Sequence, residues 1–137
     1  MLKLIKTIIL LLTVFLFSSC FGLFDSGTYK VVDDYEVTWI DLIKERALYK
    51  QEKLVSAYVF AVGHDTKYIY AKQHPLVIIS NEKIDTTITN YYLIERTKNK
   101  FQDKPKYGPL TKQSFDSLCA RLGIKDVKFD KTFPTNL

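Results

Sequence analysis

His64 and His74 are the two histidines of the chain, and paired imidazoles would invite metal or acid–base chemistry. Their spacing argues against a partnership. Leu54 to Gln73 reads as two β-rich runs around Gly63, His64, Asp65 and Thr66, whose Gly and Asp suit a tight turn, so an antiparallel hairpin is expected with His64 at its tip. His74 would then close the returning strand, and ten residues at about 3.3 Å each put the imidazoles roughly 30 Å apart. One ion cannot touch both, and no Cys/His cluster has zinc spacing, so neither a metal nor another cofactor is expected. His64 followed by Asp65 has the composition of an oriented base, although a solvated turn histidine is the simpler reading. Glu36, Asp41, Glu45, Glu52 and Glu95 could meet in space as an acid–base pair, yet any strand-rich domain offers as much. The five glycines, Gly22, Gly27, Gly63, Gly108 and Gly123, spell neither G-x-G-x-x-G, nor a P-loop, nor a G-x-S-x-G elbow. No catalytic residue is assigned, and a noncatalytic domain is expected.

Binding chemistry has more to work with. Arg96, Lys98, Lys100, Lys104 and Lys106 face a single acid, Asp103, in one stretch. Arg96, Lys98 and Lys100 have period two and would share a face if a strand continued there. With Tyr68 and Tyr70 they form the candidate binding surface, suited to an anionic lipid or an acidic partner. A solvated loop is the competing reading for the cations. For Tyr58, Phe60, Tyr68, Tyr70, Tyr91 and Tyr92 it is plain cross-strand stabilisation of a sheet.

A third kind of chemistry lies at the N-terminus. Met1 to Cys20 reads MLKLIKTIILLLTVFLFSSC, with Lys3 and Lys6 as a basic start and Thr7 to Phe17 almost unbroken in apolar character. A spanning helix needs roughly 20 apolar residues, so this run is too short and reads as an export signal. The small Ser18 and Ser19 before Cys20 resemble the lipobox of bacterial lipoproteins, in which the cysteine thiol is acylated and becomes the first residue of the mature chain. Phe17 departs from that pattern, which has Leu or another aliphatic three places before the cysteine. An ordinary secretory signal cut near Ser19 and an uncleaved short anchor are the alternatives.

Residues 1–19 are thus expected as signal, 20–28 as lipidated cysteine and short tether, and 29–137 as one domain. Cleavage leaves 118 residues, a single-domain length, and lowers the net charge from +5 to about +3, which gives no ground for nucleic acid. If Cys20 carries lipid, Cys119 has no intrachain partner, and the fold must rest on its core. Cys119 shares an i, i+3, i+4, i+7 stripe with Phe115, Leu118 and Leu122, so burial is expected.

The elements that must position these residues are mostly strands. Tyr29–Val32, the alternating Tyr35–Trp39 after an acidic turn at Asp33 and Asp34, Ala47–Tyr49, the hairpin and Asn90–Thr97 carry β signals. Ile40–Arg46 is ambiguous, Leu76–Ile79 is a short apolar run, and Asn81–Thr89 reads as loop. Gly108 and Pro109 are expected to break the chain. Thr111 is a candidate N-cap and Gly123 a left-handed C-cap around a helix from Lys112 to Leu122. Val127, Phe129 and Phe133 suit a last strand or packed tail. The fold class expected is α+β: a mainly antiparallel sheet of about five or six strands with one C-terminal helix packed on one face.

The block YVFAVGHDTKYIYAKQ from Tyr58 to Gln73, then His74 and Pro75, NYYLIE with Tyr91 and Tyr92, and Gly108, Pro109, Leu110, Thr111 and Phe115 resemble a group of small bacterial lipoproteins classed as a domain of unknown function. The resemblance implies secretion and lipidation and brings no catalytic residues. A lipid-anchored envelope domain follows as the expected function, with membrane lipid as one partner through acylated Cys20 and an envelope protein or polymer as the other. An inhibitor or immunity-type lipoprotein that neutralises an incoming enzyme is the alternative, and a small hydrolase using Glu or His64 the third.

Overall fold

The computed structural model describes Met1 and residues 25–77, 83–99 and 105–135. Apart from Met1, the expected signal lies outside the described residues, as do Cys20 and Lys100.

Three layers follow from the alternation of the strands. The front sheet is a meander of β1 (Gly27–Val32), β2 (Tyr35–Trp39), β3 (Ala47–Lys50) and β4 (Glu52–Val55) in the order β1-β2-β3-β4. Its register stacks Tyr29 on Val37, Val37 on Leu48 and Leu48 on Val55, and period two sends these four side chains to one face. The central sheet has the order β10-β9-β6-β5-β11, from β5 (Val59–His64), β6 (Tyr68–Gln73), β9 (Asn90–Glu95), β10 (Lys106–Leu110) and β11 (Lys131–Thr132). One face of it offers Val62, Ile69, Ala71, Tyr92 and Ile94 to the front sheet, and the two inner faces close one core. The other face offers Tyr68, Tyr70 and Leu93 to helix α1 (Lys112–Arg121). A small pair, β7 (Leu76–Val77) with β8 (Lys83–Ile84), completes the described strands.

The α+β class, mainly antiparallel with a C-terminal helix on one face, is what the structure shows. The strands number eleven among the described residues, because the polypeptide builds two layers of sheet where a single layer of five or six strands was expected. Leu54 and Val55 lie in β4 rather than in the hairpin; the chain changes sheets after Val55, and the Val59 amide donates to the Arg46 carbonyl at 2.8 Å. Gly108 and Pro109 do not break the chain but lie within edge strand β10, at a register shift between Tyr107 and Leu110, the kind of position where a missing amide is tolerated. Lys83 and Ile84, expected in a loop, pair with Val77 and Leu76.

Local chemistry sets the turns and caps. Asp33 has φ 49° in the two-residue turn between β1 and β2, a left-handed conformation that Asp tolerates better than branched residues. The Asp65 carboxylate accepts from the Lys67 and Tyr68 amides, each at 2.6 Å, an Asx turn that reverses β5 into β6. Thr111 Oγ1 accepts from the Ser114 amide at 3.1 Å. At the other end Gly123 has φ 72°, and the Ile124 and Gly123 amides donate to the Cys119 and Ala120 carbonyls, closing α1 as a Schellman motif.

Candidate functional site

The outer face of the front sheet is built by the residues that alternate with the core. Lys30 stands opposite Glu36, Glu36 opposite Tyr49, and Tyr49 opposite Lys53, a cross-strand row of both charges around one aromatic ring. Lys53 Nζ lies 5.9 Å from the Tyr49 ring centroid. The loop after β2, containing the 3-10 turn Ile43–Glu45, forms one wall over this row, and Ser56, Ala57, Gln73, Pro75 and Leu76 form another. Between them runs an open groove of about 710 Å³, within the size range of roughly 300–1,000 Å³ usual for ligand sites.

The second wall is held rigidly. Gln73 is buried; its Nε2 donates to the Ala57 carbonyl at 2.8 Å and its Oε1 accepts from Asn90 Nδ2 at 2.8 Å. Both ends of the amide are thus satisfied, and its orientation is set before any ligand arrives. Glu36 and Glu45 bring two carboxylates to the groove, and Lys44 and Lys53 two cations. Such a lining complements a ligand that itself carries mixed charge and amide groups. Of the five carboxylates singled out in the sequence, Glu36 and Glu45 come together here; Glu95 lies on β9 in the other sheet, and Asp41 and Glu52 are outside the lining.

Arg46, which sequence reasoning passed over, packs against Trp39, one of the residues lining the groove. It is buried, with its guanidinium carbon 4.5 Å from the Trp39 ring centroid and 4.3 Å from that of Phe133. Nη1 donates to the Tyr58 hydroxyl at 2.8 Å, and that hydroxyl donates onward to the Pro134 carbonyl. Burial lowers the Arg46 pKa, with Tyr58 opposing the shift. Nothing local marks this cation as interior, since Ile40–Arg46 has neither clean period.

The basic–aromatic surface expected from Arg96, Lys98, Lys100, Tyr68 and Tyr70 is not assembled as such. Strand β9 stops at Glu95, because the chain beyond it is tied to the front sheet: the Thr97 amide donates to the Tyr35 hydroxyl at 3.1 Å, and Lys50 Nζ donates to the Thr97 and Asn99 carbonyls. Arg96 turns inward, pairs with Asp33 at 2.7 Å and donates to the Asp65 carbonyl. Tyr70 is 0% exposed and Tyr68 is buried beside it. Lys98 alone of the five is exposed among the described residues.

Asp65 organises this end of the molecule. Burial pushes its carboxyl upward, but the Tyr70 hydroxyl and the Lys67 and Tyr68 amides outweigh that and hold it below the ordinary carboxylate range. Burial and the same Asp65 carboxylate push Tyr70 well above the ordinary phenol range. This cluster is structural in its chemistry, every partner being internal.

The histidines stay apart. His64 pairs with Ile69, and the His74 amide and carbonyl bond to Tyr58. His64 ends β5 rather than sitting at the tip of the turn, and only the five steps from its partner Ile69 to His74 run along the sheet, so the two lie about 17 Å apart, closer than the separation expected but still beyond one ion. His74 stacks on Phe60 with ring centroids 4.0 Å apart, and its Nδ1 meets the Ile88 carbonyl at 2.7 Å. Among the described residues no group of three or more His, Cys, Asp or Glu is arranged to hold a metal. Cys119 is buried with Phe115 and Leu118, and burial raises its thiol pKa; Leu122, expected in that stripe, is exposed.

No helix among the described residues is long and apolar enough to cross a membrane. No curated protein and no solved structure matches the chain. The model of a family described as a protein of unknown function (DUF3997) matches residues 26–133, which span both sheets, the helix and every wall of the groove. The chain belongs to that family.

Proposed function

We propose that this protein is a bacterial lipoprotein of the cell envelope, held to a membrane by acylated Cys20, that binds a polypeptide segment of another envelope protein in the groove on its front sheet. The anchor is supported by the basic start, the short apolar run and the small residues before Cys20. The observation that carries the binding role is the groove: an open trough of about 710 Å³ whose Gln73 wall is set in advance. Its carboxylates and ammonium groups complement a chain bearing both charges, and carboxylates in the lining oppose nucleic-acid phosphate. The role needs no catalytic group. An inhibitor of an incoming enzyme is the same reading with a specific partner.

Two tests separate the parts. Cys20→Ser should release the protein from the membrane fraction; unchanged attachment and unchanged mass would refute the anchor. A photo-cross-linking residue at Tyr49 in the full chain should give a protein adduct in intact cells that a second change, Glu36→Lys, removes. The same residue at Thr66, outside the groove, should give none. Equal adducts at both positions, or none at Tyr49, would refute the groove as the binding site. Mass spectrometry of the adduct identifies the partner, and a secreted hydrolase there would select the inhibitor role.

A hydrolase is the second reading, favoured by the presence of Glu36 and Glu45 in one groove. Turnover of a peptidoglycan, glycan or ester by the full chain, abolished by Glu36→Gln or Glu45→Gln, would establish it.

A further inference from the structure

We infer that the loop carrying Ile40 and Leu42 is a second membrane contact, which dips into the bilayer beside the lipid anchor and orients the domain; this rests on the anchor reading above.

Ile40 is 63% exposed and Leu42 45% exposed, two large apolar side chains on either side of Asp41. They occupy one pole of the sandwich. Gly27, at the start of β1, pairs with Trp39, and the Asp41 amide donates to the Ser26 hydroxyl at 3.0 Å. The loop is therefore stapled to the place where the chain enters the domain. From Cys20 to Ser26 there are six peptide steps, and at no more than about 3.6 Å each they reach about 22 Å. A domain of this size has a radius of gyration near 13 Å and so a diameter of roughly 34 Å. A leash shorter than the diameter cannot bring the far pole, where Asp33, Asp65 and Arg96 meet, round to the membrane. The pole that faces the lipid is the one with Ile40 and Leu42.

The chemistry of that pole suits an apolar contact better than an electrostatic one. Asp25, Asp41 and Glu45 stand there against Lys44, so charge gives no attraction to an anionic surface, whereas the two aliphatic side chains flanking Asp41 are exposed. Acyl chains on Cys20 would supply the affinity. The loop adds direction: with Ile40 at the bilayer, the end of the groove lined by Ile40 lies at the headgroups and the end lined by Gln51 points away.

The test uses the full acylated chain reconstituted in vesicles of phosphatidylethanolamine and phosphatidylglycerol, with a nitroxide on Ile40→Cys or, at the opposite turn, on Thr66→Cys. Both positions are exposed, so neither label disturbs the core. The ratio of collisions with oxygen to collisions with a water-soluble nickel chelate should be several-fold higher at position 40 than at position 66. Equal ratios while the protein floats with the vesicles would overturn the loop contact and leave the anchor standing. Failure to float would overturn the anchor, and the loop contact with it.

Discussion

Arg96 Nη2 donates to Asp33 Oδ2 at 2.7 Å across 63 residues of sequence, and so ties the first turn of the front sheet to the end of β9 in the central one. The same guanidinium reaches the Asp65 carbonyl. One cation thereby joins the β1–β2 turn, the β5–β6 turn and the exit of β9, at the pole opposite the proposed membrane contact.

Acid should loosen that junction. The hydrogen bond from Arg96 holds the Asp33 carboxyl below its ordinary value; burial opposes it, and the charge of Arg96 adds to the lowering. A carboxyl lowered in the folded state stabilises it above the unfolded pKa of about 3.9 and loses that contribution as pH falls through the lower folded value. The unfolding temperature of the wild type should therefore exceed that of Asp33→Asn at pH 6, with the gap closing below about pH 4. A gap that persists at the lowest pH would show that the ion pair is not its source.

The Asx turn offers a graded pair of variants. Tyr70→Phe removes the hydroxyl that donates to Asp65 and should cost about 1 kcal/mol. Asp65→Ala leaves that buried hydroxyl and two turn amides without their acceptor and should cost about 2 kcal/mol. Urea unfolding should show the double variant less destabilised than the sum, because both changes delete one shared bond.

Gly63→Ala should detach the tail that follows α1. A Cβ there would lie 1.9 Å from the Lys128 carbonyl oxygen, a backbone atom that cannot rotate aside. The expected loss is about 1–3 kcal/mol, with faster tryptic cleavage at Lys125 and Lys128 under native conditions. Unchanged cleavage would mean that the tail does not depend on its contact with β5.

Arg46→Lys keeps the charge and loses the planar group packed against Trp39 and Phe133. A loss of about 1–2 kcal/mol is expected from the desolvated cation–π contacts. The expected companion signal is a shift in the emission of Trp39, the single tryptophan. Stability equal to the wild type would deny the aromatic box its role.

Thiol counting joins the fold to the proposed anchor. Cys119 is buried, and its pKa is raised by burial and then by Asp116, so a thiol reagent should not reach it in the native state. The full chain should show no reactive thiol when native and one when denatured. One reactive thiol in the native protein would mean an unmodified Cys20.

What the sequence determines by itself is short in range. The alternation of Tyr35–Trp39, the turn residues Asp33 and Asp65, the Thr111 and Gly123 caps and the interior place of Cys119 are each written within a few neighbours, because a strand face, a turn or a cap needs only local hydrogen bonds and one apolar stripe. Those marks were enough for the α+β class and for the C-terminal helix on one face.

The tertiary structure alone decided which sheet each strand joined. Leu54 and Val55 look continuous with Val59, yet they pair with β3 while Val59 begins a strand of the other layer. Arg96 continues a period-two basic pattern, yet Asp33 draws it inward from a distant turn. The groove likewise depends on Glu36, Glu45, Lys53 and Gln73, which no motif unites. Strand partnership and the satisfaction of a buried charge are settled between residues far apart in the chain, where local propensity has no purchase.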